Sequence, residues 1–251
     1  SALGDAAAGS TAGGRTRASE WVLDLLDRQG VLVLKPTYGY GGDGVFVCRR
    51  RSGGDYSVNG ESRPRSDVAT LVDDLRDYLV WEFVEQASYA ERIFPGSVNT
   101  LRVLTLWDYE AGEPFVAGAV HRFGSRRSAP VDNWSLGGLS AEIRDDGTLS
   151  EAARWGSAAG RVDWHAAHPD TEARIEGESV PNWNAVRDRV LEMAATFPYL
   201  PRIGWDIVLT PDGRSVVLEI NTHPGVETLQ VHRPLLADHR TRRFYEYHGY
   251  A

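Results

Sequence analysis

The segment from Ile203 to Asn221, IGWDIVLTPDGRSVVLEIN, constrains the fold of this chain more than any other stretch. Two β-rich runs, Ile203 to Thr210 and Ser215 to Asn221, flank PDGR, a four-residue loop of strong turn composition. If Thr210 pairs with Ser215 across that loop, Asp206 falls opposite Glu219 and Asn221 falls opposite Gly204. Side chains alternate along a strand, so Asp206, Glu219 and Asn221 then share one face, with open space above Gly204. Two carboxylates about 5 Å apart repel by about 3 kcal/mol at an effective dielectric near 20, so a positive group is expected there. Asp, Glu and Asn offer only oxygen, which suits Mg²⁺. The alternative is a register slip that turns one carboxylate to solvent.

A second local feature is the loop GYGGDG, residues 39–44, lying between the runs Val31 to Leu34 and Val45 to Cys48. Its glycines let backbone N–H groups approach phosphate oxygens. It is not a Walker A loop, because no GK[ST] follows, and it is not a dinucleotide fingerprint, because a strand rather than a helix follows. A glycine hairpin without a ligand has the same sequence. Just before it stands Lys35, the single lysine among 27 basic residues. In a chain so biased to arginine, one retained lysine points to a site for a compact ammonium, such as a phosphate, or to an accident of composition.

The remaining chain reads as α+β. Glu20 to Gln29 carries Trp21, Val22, Leu25 and Leu26 on one helical face, and Gly30 can close it. Ser66 or Asp67 is expected to cap a helix running through Val68, Leu71, Val72, Leu75 and Tyr78. LVWEFVEQ and Val98 to Trp107 read as strands, the latter pairing with Phe115 to Phe123 across a turn at Glu110 to Pro114. Residues 150–182 read as an irregular connection, and Pro181 and Asn182 open a helix with Trp183, Val186, Val190, Met193 and Phe197 on one stripe. Residues 1–19, rich in Gly, Ala, Ser and Thr, read as a flexible lead-in. The divisions expected are 1–19, 20–85 and 86–251.

The formal net charge of −8 disfavours nucleic acid and anionic membrane as main partners. No apolar run approaches the length of a bilayer span, and with one cysteine, Cys48, no internal disulfide forms; a cytoplasmic protein is expected.

LKPTYGYGGDGV, then VWEFVEQ, then GWDIVLTPDGRSVVLEINTHPG, in this order and at these separations, resembles the ATP-grasp superfamily. Within it, SVNTLRVLTL, VDNWSLGGL, HPDT and IGWDI are similar to the sugar-transfer-associated group, related to α-L-glutamate ligases. The resemblance covers about residues 20–236. It implies a nucleotide held between two α+β subdomains, with Gly41 and Gly42 over the phosphates and Lys35 on the α- and β-phosphates. Glu82, Phe83 and Val84 would form the hinge, the backbone of Glu82 and Val84 reading the adenine edge, with Glu85 or Asn99 nearest the ribose. Asp206, Glu219 and Asn221 would hold Mg²⁺ against ATP. Arg102 matches an arginine near the transferring phosphate, and Arg122 is a second catalytic candidate. Asn133, Gly137 and Gly138 echo a substrate loop of glutamate ligases, although a plain polar turn has the same pattern, and His223 could touch substrate. His165 and His168 read as packing or capping residues.

The activity implied is ATP-dependent joining of a carboxylate to an amine through an acyl phosphate, on small-molecule or peptide substrates. A phosphotransferase and a non-catalytic ATP-binding module are the alternatives. Two departures stand out: the further lysine and amino-terminal domain usual in relatives are not visible before Glu20, and the arginine that D-alanine ligases place two residues before the metal aspartate is Gly204 here.

Overall fold

The computed structural model describes residues 2–5, 17–39, 41–156 and 160–250. The chain divides into two units, Ser1–Val84 and Glu85–Ala251.

In the first unit, β1 (Ala2–Asp5), α1 (Ala18–Gln29), β2 (Val31–Pro36), β3 (Phe46–Arg50), β4 (Tyr56–Val58), β5 (Glu61–Arg63), α2 (Arg65–Asp74) and β6 (Tyr78–Glu82) follow in order. The strands form one antiparallel sheet in the order β1-β6-β2-β3-β4-β5. Alternation on β2 and β6 sends Leu32, Leu34 and Val80 to one face, where Val22, Leu23 and Leu26 of α1 and Val68 and Val72 of α2 complete a core. Gly30 ends α1 in the left-handed conformation, its N–H bonded to the Leu26 carbonyl.

Two expectations change here. Neither Ser66 nor Asp67 caps α2: the helix opens at Arg65 behind Pro64, whose fixed φ suits a helix start, and it stops at Asp74 because Leu75 is extended. Tyr78 therefore belongs to a strand. Within the expected lead-in, Ala2–Asp5 form an edge strand beside β6, and Ala18 and Ser19 are already helical. Residues 6–16 lie outside the described residues.

The second unit contains α3 (Ser88–Ile93), β7 (Leu101–Asp108), β8 (Glu113–Phe123), β9 (Leu139–Ile143), β10 (Leu149–Trp155), β11 (Val162–His165), α4 (Trp183–Ala195), β12 (Arg202–Leu209), β13 (Ser215–Asn221), α5 (Glu227–Gln230) and α6 (His239–Tyr247). Its seven strands form an antiparallel sheet in the order β11-β10-β9-β8-β7-β12-β13. One face is apolar: Leu101, Val103, Phe123, Trp205 and Ile207 pack with Ile93 of α3 and Val186 and Val190 of α4. On the other face Leu104, Leu106, Phe115 and Val120 meet Leu229 of α5 and Phe244 of α6. The same face also carries Arg102, Arg122, Asp206 and Glu219. The stretch 150–182 is more regular than its sequence indicates, since β10 and β11 pair there; Ala152 and Ala153 in β10 mute the alternation that marks a strand. No helix among the described residues is long and apolar enough to cross a membrane.

Candidate functional site

In the first unit the glycine loop closes the β2–β3 hairpin, in which Leu34 pairs with Phe46. Gly41, Gly42 and Gly44 have φ of 73°, 82° and 72°, a region costly for any residue with a Cβ. At Gly44 a Cβ would lie 2.6 Å from the Tyr78 hydroxyl, so that position also needs glycine for space. Lys35 leaves β2 on the face opposite the helices, its ammonium 5.5 Å from the Trp81 ring centroid. Glu82 ends β6, while Phe83, Val84 and Glu85 continue without regular structure; the Phe83 ring carries the Arg49 guanidinium at 4.3 Å.

In the second unit, Asp206 pairs directly with Glu219 and Gly204 with Asn221, as expected, by a different route. The turn closes one residue tighter, with Leu209 opposite Ser215 and the Thr210 N–H bonded to the Arg214 carbonyl. On that register Asp206 would face Leu218. A β-bulge at Leu218 inserts the missing residue and restores the Asp206–Glu219 pair. The space above Gly204 is not open: a Cβ there would lie 2.6 Å from Cβ of Pro224 and 3.6 Å from Cδ of Arg102.

The positive charge expected beside the two carboxylates is supplied by arginine. Arg102 lies directly across from Asp206 on β7, and its Nε and Nη2 donate to Asp206 Oδ1 and Oδ2 at 2.5 and 2.9 Å. Arg122 of β8 approaches the same Oδ2 through Nη2 at 3.1 Å. The same nitrogen lies 3.3 Å from Oδ1 of Asp132 and donates to Thr100 Oγ1 at 2.6 Å. Thr100 in turn donates both its backbone N–H and its hydroxyl to Asp132 Oδ2, at 2.8 and 2.6 Å.

The four charged side chains are only 9–13% exposed, so they must satisfy one another, and two arginines against two aspartates leave no net charge. Burial works against ionising Asp206, but Arg122 and Arg102 outweigh it and hold its carboxyl below the usual range. Burial also opposes the charge on Arg122, and Asp132 and Asp206 overcome it, raising the guanidinium further. At Asp132 burial prevails over Arg122 and Thr100, and the carboxyl is raised.

Glu219 is exposed at the rim of this cluster and Asn221 is half-buried. Among the described residues no group of three or more His, Cys, Asp or Glu side chains is placed to hold a metal ion. The hairpin instead offers two carboxylates and an amide. Asp206 has about four lone-pair sites and accepts from three nitrogens, so about one remains. Such an incomplete all-oxygen donor set fits Mg²⁺, which usually takes one or two carboxylates and completes its shell with water and phosphate.

Four other candidates have structural tasks. Asn99 is buried, its amide donating to Gln86 Oε1 and the Ala90 and Phe94 carbonyls while its oxygen accepts from Gly124 N–H and Ser97 Oγ. With its polar atoms spent inside the second unit, Asn99 has none to offer a ribose. Asn133 caps the short 3-10 turn Trp134–Leu136 by accepting from Ser135 N–H and Oγ. Gly137 follows at φ 104°, and a Cβ on Gly138 would lie 2.6 Å from the Asp132 carbonyl. The N-x-x-x-G-G pattern thus builds the tight turn behind Asp132. His223 is exposed beyond β13, its Nδ1 3.1 Å from Thr222 Oγ1.

Sequence reasoning missed Thr100 and Asp132. Thr100 stands two residues before Arg102, on the same strand face, and Asp132 immediately precedes the N-x-x-x-G-G turn. The buried histidines are neutral packing groups: burial pushes His121 down to about 3, with Nδ1 donating to the Arg122 carbonyl and Nε2 accepting from Tyr89. His168 donates from Nε2 to the Gly124 carbonyl at 2.7 Å and accepts from Asp170 N–H at Nδ1.

No curated protein matches the chain at a significant level. Solved structures with a similar arrangement include the ADP complex of PurK, N5-carboxyaminoimidazole ribonucleotide synthetase, at 13% identity over 82% of this chain and 38% of that chain, with TM-score 0.41. The ATP-grasp ligase PsnB complexed with minimal precursor is similar at 14% identity over 90% of this chain and 52% of that one, TM-score 0.44. D-alanyl-alanine synthetase A from Vibrio cholerae O1 biovar eltor is similar at 10% identity over 90% and 56%, TM-score 0.47. The chain spans less than two thirds of the length of each. A family profile described as sugar-transfer associated ATP-grasp matches residues 13–244, which takes in both units, the glycine hairpin and the acidic hairpin. On that match the chain belongs to the sugar-transfer associated ATP-grasp family.

Proposed function

We propose that the chain binds Mg·ATP and transfers the γ-phosphoryl group to a substrate carboxylate, and that an amine then attacks the acyl phosphate to give an amide, ADP and phosphate. The observation that carries this reading is the Asp206–Glu219 pair with Arg102 and Arg122 on one sheet face, in a chain of this family. A carboxylate is a poor electrophile, and phosphorylation gives it a leaving group. The protein's part is positioning and charge neutralisation.

Lys35 meets phosphate as a point charge, and the N–H groups of the glycine hairpin approach phosphate oxygens where a side chain would block them. Asp206, Glu219 and Asn221 would hold Mg²⁺, which when bound would offset phosphate charge. Arg102 fixes Asp206 through two of its five N–H groups, which leaves others for an anionic reactant. Asn221 and Glu219 stand at the exposed end of the row, where a reactant enters. The acid is a small molecule or the carboxylate of a peptide.

Calorimetry of ATP binding to the parent and to Lys35→Arg tests the phosphate half of this reading. The substitution keeps the charge but replaces a compact ammonium with a wider fork, and affinity is expected to fall. Equal affinity would remove Lys35 from the site. ADP release screened against a panel of acids and amines tests the chemistry: release that needs both an acid and an amine supports ligation, whereas release needing the acid alone supports phosphoryl transfer that stops there.

A further inference from the structure

We propose that Asp132 is a positioning residue that acts through Arg122: by sharing that guanidinium with Asp206, it weakens the hold of Arg122 on Asp206 and keeps Asp206 available to a divalent cation. The inference rests on the reading of Asp206 as a cation ligand and goes beyond it, because Asp132 touches neither cation nor reactant.

The geometry is a contest between two carboxylates for one nitrogen. Nη2 of Arg122 lies 3.1 Å from Asp206 Oδ2 and 3.3 Å from Asp132 Oδ1. Asp132 cannot follow the guanidinium toward Asp206, because the Thr100 N–H and hydroxyl fix its Oδ2 and the Gly138 turn packs against its backbone. Arg122 is itself tethered to Thr100 Oγ1 through Nε at 3.0 Å and Nη2 at 2.6 Å. Its attraction is therefore divided between the two carboxylates at nearly fixed distance. Asp206 already accepts from two nitrogens of Arg102, so the share of Arg122 that reaches it decides how much of its remaining lone pair is left. Once Asp132 is neutral, Asp206 is the one carboxylate among the described residues left in an ion pair with Arg122, and it takes the whole of that attraction. A buried ion pair at full strength is not given up easily to a cation that must also shed water.

The test uses Mn²⁺ as probe, its binding to the full chain in the presence of ADP followed by electron paramagnetic resonance. Four proteins are compared: parent, Asp132→Asn, Arg122→Gln and the double variant. Asp132→Asn is expected to weaken Mn²⁺ binding at least five-fold, and to change it less than two-fold when Arg122→Gln is already present. An equal loss in both backgrounds means that the carboxylate acts on the cation directly through its field, and overturns the proposal. Unchanged or tighter Mn²⁺ binding by Asp132→Asn also overturns it. A parent that binds ADP without recruiting Mn²⁺ brings down the assignment of Asp206 as a ligand and this inference with it, whereas an additive cycle brings down the inference alone.

Should near-ultraviolet circular dichroism show Asp132→Asn unfolded, Thr100→Val supplies the second arm. It removes the hydroxyl that ties Asp132 and Arg122 in place while keeping the backbone bond to Asp132 and its charge, and Mn²⁺ binding is expected to weaken only while Arg122 is present. Asp132→Glu, which keeps the charge, should retain Mn²⁺ affinity within about three-fold of the parent, a rescue that a purely structural role does not give.

Discussion

The glycine hairpin of the first unit and the arginine–aspartate row of the second present polar groups by opposite means. In the hairpin the useful groups are backbone N–H, exposed by the absence of side chains, and the nearby cation, Lys35, rests on an aromatic ring. In the row the groups are charged side chains brought together from four separate segments, nearly buried, and balanced two against two. The first arrangement is expected to add little to stability and to tolerate the loss of its charge. The second is built into the core of the sheet, so its loss is felt by the fold. On the proposed reading, changes at the hairpin are expected to affect ligand binding more than folding, and changes in the row to affect both.

The sharpest way to break that contrast is to delete one charge from each region. Asp206→Ala leaves two buried guanidinium groups against one remaining carboxylate, and a loss of roughly 3–5 kcal/mol is expected. Lys35→Ala should change stability by no more than about 0.5 kcal/mol. Urea unfolding of both variants measures the difference, and a loss below about 1 kcal/mol for Asp206→Ala would show the row to be as dispensable as a surface pair.

A smaller effect is expected where the glycine hairpin does couple to the fold. Gly44→Ala places a Cβ at φ 72° and against the Tyr78 hydroxyl, at a cost of roughly 1–2 kcal/mol. Pairing the substitution with Tyr78→Phe separates steric from conformational cost in thermal melts. If the double variant is as stable as Tyr78→Phe alone, the positive φ carries no penalty and the hairpin couples to the fold only through its contact with the Tyr78 hydroxyl.

The smallest change in stability belongs to the exposed end of the row. Glu219→Gln should alter unfolding free energy by no more than about 0.5 kcal/mol, because the neighbouring Asp206 is already neutralised by arginine. Mn²⁺ affinity in the presence of ADP should nonetheless fall. A variant that loses stability but keeps its affinity for the cation would make Glu219 a structural residue and extend the buried region to the rim.

These two regions also differ in how far they could be read from the amino-acid order. The strand, glycine loop, strand pattern and the hairpin at residues 203–221 are local, and a turn fixes which residues face one another. The expected Asp206–Glu219 pair is present, although the turn is a residue tighter and a bulge compensates. Arg102 and Arg122 stood out only by resemblance, and their grip on Asp206 depends on the order β8-β7-β12, which no local pattern carries. Asn99 shows the reverse: the resemblance implied Glu85 or Asn99 beside a ribose, but the partners of Asn99 at Gln86, Ala90, Phe94 and Gly124 come from separate segments that only the folded unit collects. Asp132 was invisible because its meaning lies in Thr100, 32 residues away.

The bulge at Leu218 has a bearing on which insertions and deletions this hairpin survives. Val216, Glu219 and Asn221 share the face of Asp206, whereas Val217 packs toward the core and Leu218 is the extra residue between pairs. Removing Leu218 leaves a regular ladder in which Glu219 and Asn221 keep their face. Removing Ile220 instead carries Asn221 to the opposite face, and inserting one residue after Leu218 carries both Glu219 and Asn221 away from Asp206. The hairpin therefore has one position at which its length is free to change by a residue, and chains with a similar site can be expected to differ in length there while remaining uniform on either side.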